Sequence, residues 1–180
     1  MGVPLRKVWN LPGDAGNRET ARNMASLARS RQGHPWVRAA WADILGAIQP
    51  RDTYDEGRML RTWLAGHFQF QADPVGVGVL GNVEDIELLR DPVLMLQQIR
   101  DSYTAFGDCD DAAILASALA LAAPVPFSSV RYVLAGLDPS LPFTHVYAEV
   151  LTARGWLDLD VTRGAQANLS EIRKRGVLYV

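Results

Sequence analysis

The sequence has a single cysteine, Cys109, among its 180 residues, so no disulfide can form within the chain. No apolar run is both long enough and free enough of charge to span a bilayer, and residues 1–7 lack the apolar core and cleavage site of a secretory signal. The net charge of -2 provides no strongly basic surface. These absences argue against a membrane-spanning or nucleic-acid-binding protein. We predict a cytoplasmic protein, with association with a virion as the alternative.

The composition is that of an ordinary globular protein with a sizeable core. Apolar residues make up 48% of the chain and charged residues 21%. A chain of 180 residues forms one domain, or one domain with an appendage. We expect residues 1–90 to be a helical part that packs on a core formed by residues 91–180, all within one compact domain.

The first half of the chain is dominated by helical periodicity. Apolar residues recur at helical spacing from Asn17, from Pro35, and from Asp52 or Thr53 to about Phe68. Pro35 follows His34 and Pro92 follows Asp91, the pattern of a capping residue with proline at the first helical position. A short helical piece is predicted over residues 83–89, and a further helix begins at Pro92.

Cys109 lies at the start of a helix predicted to be buried. Residues 112–123 are almost entirely apolar, and a helix that is apolar all round belongs in a core. The first turn of a helix has backbone N–H groups without internal partners, and its positive end favours the thiolate over the thiol. Asp110 and Asp111 act against this effect, so another group has to offset their charge.

The second half of the chain changes to the period of β-strands. After Pro126 the pattern predicts strands over 130–134, 143–151 and 156–162, a polar loop with one helical turn over 163–175, and a last strand over 177–180. A short strand is also predicted over 6–9. Helices followed by an antiparallel sheet define an α+β protein.

Three histidines are candidates for a base beside the cysteine. His34 is more simply a helix cap, and His67 a structural residue on a helix. His145 lies on a strand, and if the following hairpin has a four-residue loop over 152–155, so that Leu151 pairs with Trp156, His145 is diagonal to Asp160 on one face of the sheet. A three-residue loop with a bulge would instead turn Asp160 to the opposite face.

Three segments together resemble the motifs of the transglutaminase-like, papain-fold cysteine enzymes, and the resemblance is closest to bacterial and phage-encoded members. They are Gly-Asp-Cys-Asp-Asp at 107–111, His-Val-Tyr-Ala-Glu-Val at 145–150 and Gly-Trp-Leu-Asp-Leu-Asp-Val-Thr at 155–162. The resemblance covers about residues 91–162 and departs from the family at Val161, where Asp-Pro-Thr is usual. It implies a buried helix that begins at the cysteine and packs on an antiparallel sheet. It also implies a triad of Cys109 as nucleophile, His145 as base and acid, and Asp160 as the orienting residue.

The activity implied by this resemblance is acyl transfer through a thioester, on an amide or peptide bond of a protein or peptide substrate. Hydrolysis by a protease or amidase and transfer to an amine, as in a transglutaminase, both follow this route. The oxyanion would be bound by the backbone N–H of Cys109 and by one side chain among Tyr103, Gln71 and Gln69. The alternative is a non-catalytic structural or assembly protein, for instance from a phage, that retains the fold.

The aspartates around the cysteine have three interpretations. In the first, Asp108 caps the helix while Asp110 and Asp111 add favourable charge to its first turn. In the second, they contact an arginine such as Arg100 or Arg131. The third follows from the resemblance, because some bacterial members that act as proteinases bind calcium beside the cysteine. The implied mechanism itself requires no cofactor.

Overall fold

The computed structural model describes residues 6–9, 13–46, 52–72, 76–77, 83–84, 86–162 and 172–180. Within these ranges the chain has an α+β fold, as predicted. Its helices are α1 Asp14–Arg31, α2 Pro35–Leu45, α3 Thr53–His67, α4 Pro92–Ser102 and α5 Cys109–Ala122. Its strands are β1 Arg6–Trp9, β2 Phe68–Phe70, β3 Gly76–Val77, β4 Val83–Glu84, β5 Ile86–Leu89, β6 Ala105–Gly107, β7 Val130–Gly136, β8 His145–Thr152, β9 Gly155–Asp158 and β10 Lys174–Tyr179. None of the helices in these ranges combines the length and the hydropathy that crossing a membrane requires.

Four helices, α2 to α5, begin at side chains that accept hydrogen bonds from their first turn. His34 Nδ1 accepts from the backbone N–H of Trp36 at 3.2 Å, and Asp91 accepts from that of Val93 at 2.9 Å. Asp52 caps α3 by accepting from the backbone N–H groups of its second and third residues at 3.0 and 2.9 Å. Asp52 is therefore the cap of α3, while Thr53 accepts a hydrogen bond from the distant Ala153.

Helix α5 forms the centre of the molecule. Every residue from Asp110 to Leu121 is buried, because α1, α2, α3 and α4 pack around it and β7 and β8 cover its remaining side. The predicted arrangement of a buried helix on an antiparallel sheet is confirmed.

The sheet against α5 has the order β10-β7-β8-β9, and all of its neighbouring strands are antiparallel. In the β8–β9 hairpin Leu151 pairs with Trp156, as predicted, and Thr152 also pairs with Gly155. The loop is therefore shorter than the four residues expected. Gly155 has φ 98°, a left-handed conformation that glycine adopts without strain.

The prediction of a helical piece over residues 83–89 is wrong. This segment forms β4 and β5, and β5 pairs antiparallel with β1. Since β1 lies about eighty residues earlier in the chain, the local pattern contained no sign of this pairing. The last strand begins at Lys174 rather than Val177, so the polar loop was predicted too long; its residues 163–171 lie outside the described residues.

Candidate active site

His145 and Asp160 form the best-defined polar pair of the predicted site. His145 Nε2 lies 2.6 Å from Asp160 Oδ2, and the two side chains are 14% and 1% exposed. The other carboxylate oxygen, Oδ1, accepts hydrogen bonds from the backbone N–H of Thr162 at 2.8 Å and from its hydroxyl at 2.7 Å. Asp160 is thus held in place from both sides of its carboxylate.

Asp160 is stabilised in its charged form. Burial on its own would raise the pKa of this carboxyl, but the hydrogen bond and charge of His145 and the two hydrogen bonds from Thr162 outweigh burial and lower the pKa. An ionised carboxylate at this position accepts the Nε2–H of the imidazole and fixes its orientation.

The imidazole of His145 has one nitrogen left for chemistry. Its ring stacks on that of Tyr147, with a centroid separation of 5.9 Å and an interplanar angle of 28°. Asp160 holds Nε2, while Nδ1 is buried and makes no hydrogen bond within the described part of the chain. Nδ1 is therefore the nitrogen that could exchange a proton with a reacting group.

Cys109 is the first residue of α5 and is half-buried. Asp108 caps the helix, with its side chain accepting from the backbone N–H of Asp111 at 3.4 Å, which supports the first interpretation of the aspartates. The helix packs against β8, the strand that His145 begins, and Cys109 packs against the main core. The sulfur thus lies at the positive end of a buried helix, and that helix packs against the strand that holds the imidazole.

Asp111 is a fully buried carboxylate that binds Arg90. Its Oδ1 accepts from the backbone N–H of Arg90 at 2.8 Å, and its Oδ2 lies 3.4 Å from the guanidinium Nε. The same guanidinium donates to the backbone carbonyl of Phe106. Arg90 therefore joins the end of β5 to β6 and to the first turn of α5.

An arginine contact was expected for these aspartates, but with Arg100 or Arg131, and that choice is wrong for Asp111. Arg100 pairs with its neighbour Asp101 at 2.7 Å. Arg131 pairs with Glu149 at 2.6 Å across the β7–β8 ladder. Arg100 and Arg131 are thus paired with other acidic residues. Arg90 was not expected as the partner, because it follows β5, the strand that the sequence pattern had assigned to a helix.

Gly107 lets Asp111 approach the backbone of β6. A Cβ atom at position 107 would lie 2.5 Å from Asp111 Oδ2 and 2.6 Å from its Cβ. Atoms do not approach so closely without displacement, so any side chain here would push Asp111 out of position. The glycine two residues before the cysteine thus has a steric role in the site.

Asp110 is almost fully buried, with 3% of its surface exposed. It is buried beside Tyr132 of β7, whose hydroxyl pKa is raised by burial first; Ser117 lowers this pKa, and the charge of Asp110 raises it further. The three aspartates therefore serve separate partners. Within the described residues no group of three or more His, Cys, Asp or Glu side chains is placed to hold a metal ion.

The three candidates for the second oxyanion donor differ in how they are placed relative to the segment that leads into Cys109. Strand β2 runs parallel to β6, pairing Gln69 with Phe106, and the backbone N–H of Gln71 donates to the carbonyl of Gly107 at 2.7 Å. Gln71 is thus fixed against the segment that leads directly into Cys109. Tyr103 caps the end of α4 with φ 64° and is 79% exposed.

Thr162 and Arg90 contribute to the site and were not predicted. Thr162 follows Asp160 by two residues, the spacing at which an aspartate side chain commonly accepts from the backbone, so this signal was present in the sequence. Arg90 had no such signal. The other two histidines have structural contacts: His34 is a cap, and His67 stacks on Trp63 with a centroid separation of 4.5 Å.

No protein-family model and no curated protein matches the chain. Among solved structures, the chain is similar to Legionella pneumophila LapG in a calcium-bound state, with a TM-score of 0.45 and 21% sequence identity. The match covers 85% of this chain and 80% of LapG.

Proposed function

We propose that the chain is a cysteine-dependent enzyme that transfers acyl groups from amide or peptide bonds, with Cys109 as nucleophile, His145 as base and acid, and Asp160 as the residue that orients the imidazole. The observation that carries this proposal is the 2.6 Å contact between His145 Nε2 and a buried, anchored Asp160. A buried carboxylate held in this way fixes the ring so that only Nδ1 is left to exchange protons.

In the proposed reaction the thiolate Sγ of Cys109 attacks the carbonyl carbon of the amide and forms a tetrahedral oxyanion. The C–N bond then breaks, and His145 Nδ1–H gives its proton to the leaving nitrogen, which departs as an amine. A thioester remains. Water attacks the thioester carbonyl while Nδ1 accepts a proton from it, and the C–S bond breaks to release the acid and the thiolate. An amine in place of water gives acyl transfer by the same steps.

The positive charge of Arg90 compensates for the negative charge of the aspartates near Cys109. Asp111 is one of two carboxylates in the first turn of α5, and its contact with Arg90 neutralises it within the protein. The helix terminus can then favour the thiolate with less opposition. For the oxyanion, the backbone N–H of Cys109 and the side chain of Gln71 are the proposed donors, because Gln71 is anchored to Gly107.

The test of this proposal is the reactivity of the single thiol. We expect Cys109 to react with iodoacetamide at pH 6–7 at least about tenfold faster than glutathione, because a lowered thiol pKa increases the thiolate fraction. The His145→Ala variant should lose this advantage. His67→Ala is the matched control, since that ring stacks on Trp63 within α3 and should leave the rate unchanged.

Two results would contradict the proposal: a wild-type rate equal to that of glutathione, or equal rates for wild type and His145→Ala. Either would favour the non-catalytic structural alternative. If the thiol is activated, mass spectrometry of a peptide mixture with and without an added primary amine distinguishes hydrolysis from transfer. We propose hydrolysis, because water is an acceptor that is always present.

A further inference from the structure

A basic groove lies beside α1, and none of the site residues described above is among its lining residues. It has a volume of about 510 Å³ and runs between the second half of α1, the short turn at residues 127–129 and the end of β10. Its walls include Arg22, Ser26, Arg29, Phe127, Leu178 and Tyr179.

Among the residues that the structure describes, the lining of the groove includes two guanidinium groups and no acidic side chain. Arg29 lies over the ring of Phe127, 5.3 Å from its centroid, and forms no ion pair with any carboxylate that the structure describes. Arg22 contacts Glu19 at 3.1 Å, with both side chains about half exposed. Such an exposed pair is worth little and is readily exchanged for another anion. The groove is therefore complementary to a negatively charged ligand.

The spacing of the cations suits an extended polypeptide. Arg22 and Arg29 are seven residues apart on one face of α1, which is about 10 Å along the helix axis. In an extended chain, side chains on one face recur every second residue, or about every 6.6 Å. Acidic side chains at positions i and i+2 of an extended chain are about 6.6 Å apart, and those at i and i+4 are about 13 Å apart. The distance of about 10 Å between the two arginines lies between these values, and the long arginine side chains can adjust to either spacing.

Strand β10 offers an unpaired edge along the same groove. The backbone N–H of Val180 donates to the carbonyl of Val130 at 2.9 Å, and bonds of an antiparallel ladder alternate from residue to residue. The N–H and C=O of Tyr179 and Val177 therefore point away from β7, to a side where no other described strand pairs with β10. An extended chain could add to this edge through its backbone.

Aromatic side chains complete the groove. Phe127 and Tyr179 both line the groove and are 46% and 54% exposed, and the ring of Tyr179 also contacts that of Trp156, with a centroid separation of 6.1 Å. Their rings would pack on the apolar parts of a bound polypeptide whose acidic groups contact Arg22 and Arg29.

We propose that this groove binds an extended acidic segment of another polypeptide, added as a strand along β10, with acidic residues at alternate positions bound by Arg22 and Arg29. This site is separate from the proposed triad. Tyr179 is opposite Arg131 at one end of β7, while His145 is opposite Ala135 toward the other end, about 13 Å further along the strand. The proposal does not depend on whether Cys109 is a nucleophile.

The experiment is fluorescence anisotropy with the full chain and a labelled ten-residue peptide in which glutamate alternates with threonine. The matched probe has glutamine in place of every glutamate. We expect the acidic peptide to bind at least about tenfold more tightly than the glutamine peptide, and to bind more weakly as salt is added. The double variant R22E/R29E should weaken binding of the acidic peptide at least about tenfold, whereas R38E should not, because Arg38 is an exposed arginine on α2 away from the groove.

Backbone amide shifts of the ¹⁵N-labelled protein provide the second measurement. The acidic peptide should perturb the amides of Ser26, Leu178 and Tyr179 in wild type and not in R22E/R29E. The proposal is overturned if the acidic peptide does not bind, if the glutamine peptide binds equally well, if R38E weakens binding as much as R22E/R29E, or if the shifts cluster elsewhere. Circular dichroism of both variants establishes that the substitutions leave the fold intact.

Discussion

Gly107 illustrates how a single residue without a side chain can determine the position of the segment that leads into Cys109. A Cβ at this position would lie 2.6 Å from the Cβ of Asp111, an atom close to the backbone that cannot rotate away. We expect Gly107→Ala to destabilise the protein by about 1–3 kcal/mol, as overpacking in a core does. The measurement is the urea midpoint of unfolding.

A double-mutant cycle checks the cause of that loss. Gly107→Ala combined with Asp111→Ala should cost less than the sum of the two single substitutions, because the second change removes the atoms that the new methyl group meets. Additive costs would show that the methyl group is harmful for another reason. Gly33→Ala serves as the reference, since no atom lies within 4 Å of a Cβ built there.

Residues whose contacts are close in sequence were predictable, and residues with distant contacts were not. The caps His34 and Asp91 followed from the proline after each of them, and both were confirmed. The contact of His145 with Asp160 followed from the hairpin register. Arg90 was missed, because its contact with Asp111 spans 21 positions and two elements. The catalytic roles of Cys109, His145 and Asp160 stay predictions.

Among the elements, α3 and the β8–β9 hairpin provide the clearest packing test. A Cβ at Gly57 of α3 would lie 2.7 Å from Leu157 Cδ2 and 3.3 Å from Val150 Cγ1, whereas a Cβ at Gly66 of the same helix would have no described atom within 4 Å apart from its chain neighbours and the helix backbone around it. Gly66→Ala should stabilise the protein by about 0.5–1 kcal/mol through helix propensity. Gly57→Ala should be less stable than Gly66→Ala by about 1–3 kcal/mol, because the same gain is opposed by overpacking.

The two variants form a matched pair, since both replace glycine by alanine within α3. Urea unfolding of both, followed by circular dichroism, provides the comparison. Equal stability of the two variants would mean that α3 does not pack as tightly on the hairpin as the distances indicate. The contact also includes the hydrogen bond from the backbone N–H of Ala153 to Thr53 Oγ1, at 2.8 Å.

Elements defined by a long periodic pattern were predicted well, whereas the described short strands other than β1, which was predicted over 6–9, were not. Helix α5 and the hairpin of β8 and β9 have strong patterns of period 3.6 or 2, and they were found. Strands β2, β4, β5 and β6 have two to four residues each, too few for a pattern to develop. The parallel pairing of β2 with β6 is visible only when the chain is folded. The division of the chain at residue 90 stays a prediction.

At the scale of the whole molecule, the pair of His145 and Asp160 makes stability depend on pH. The pKa of Asp160 is lower in the folded protein than its ordinary value of 3.8, so the folded state binds fewer protons there than the unfolded state. This contribution is fully present above that ordinary value and is lost as the pH falls through the folded value. Acid should therefore unfold the protein partly by protonating this carboxylate.

Asp160→Asn isolates this contribution. At pH 7 the variant should be less stable by about 1.5–3 kcal/mol, the value of a hydrogen bond to a charged group, as measured by the urea midpoint. The difference from wild type should begin to narrow below about pH 4, where Asp160 becomes protonated in the unfolded state, and should be smallest below the lowered folded-state pKa, where Asp160 is protonated in both states and resembles asparagine. A difference that stays constant from pH 7 to pH 3 would mean that the loss comes from packing rather than from charge. Asp138→Asn is the control: its pKa is also lowered, by hydrogen bonds from Ser140, but it lies on the exposed turn between β7 and β8 and should change the midpoint little at any pH.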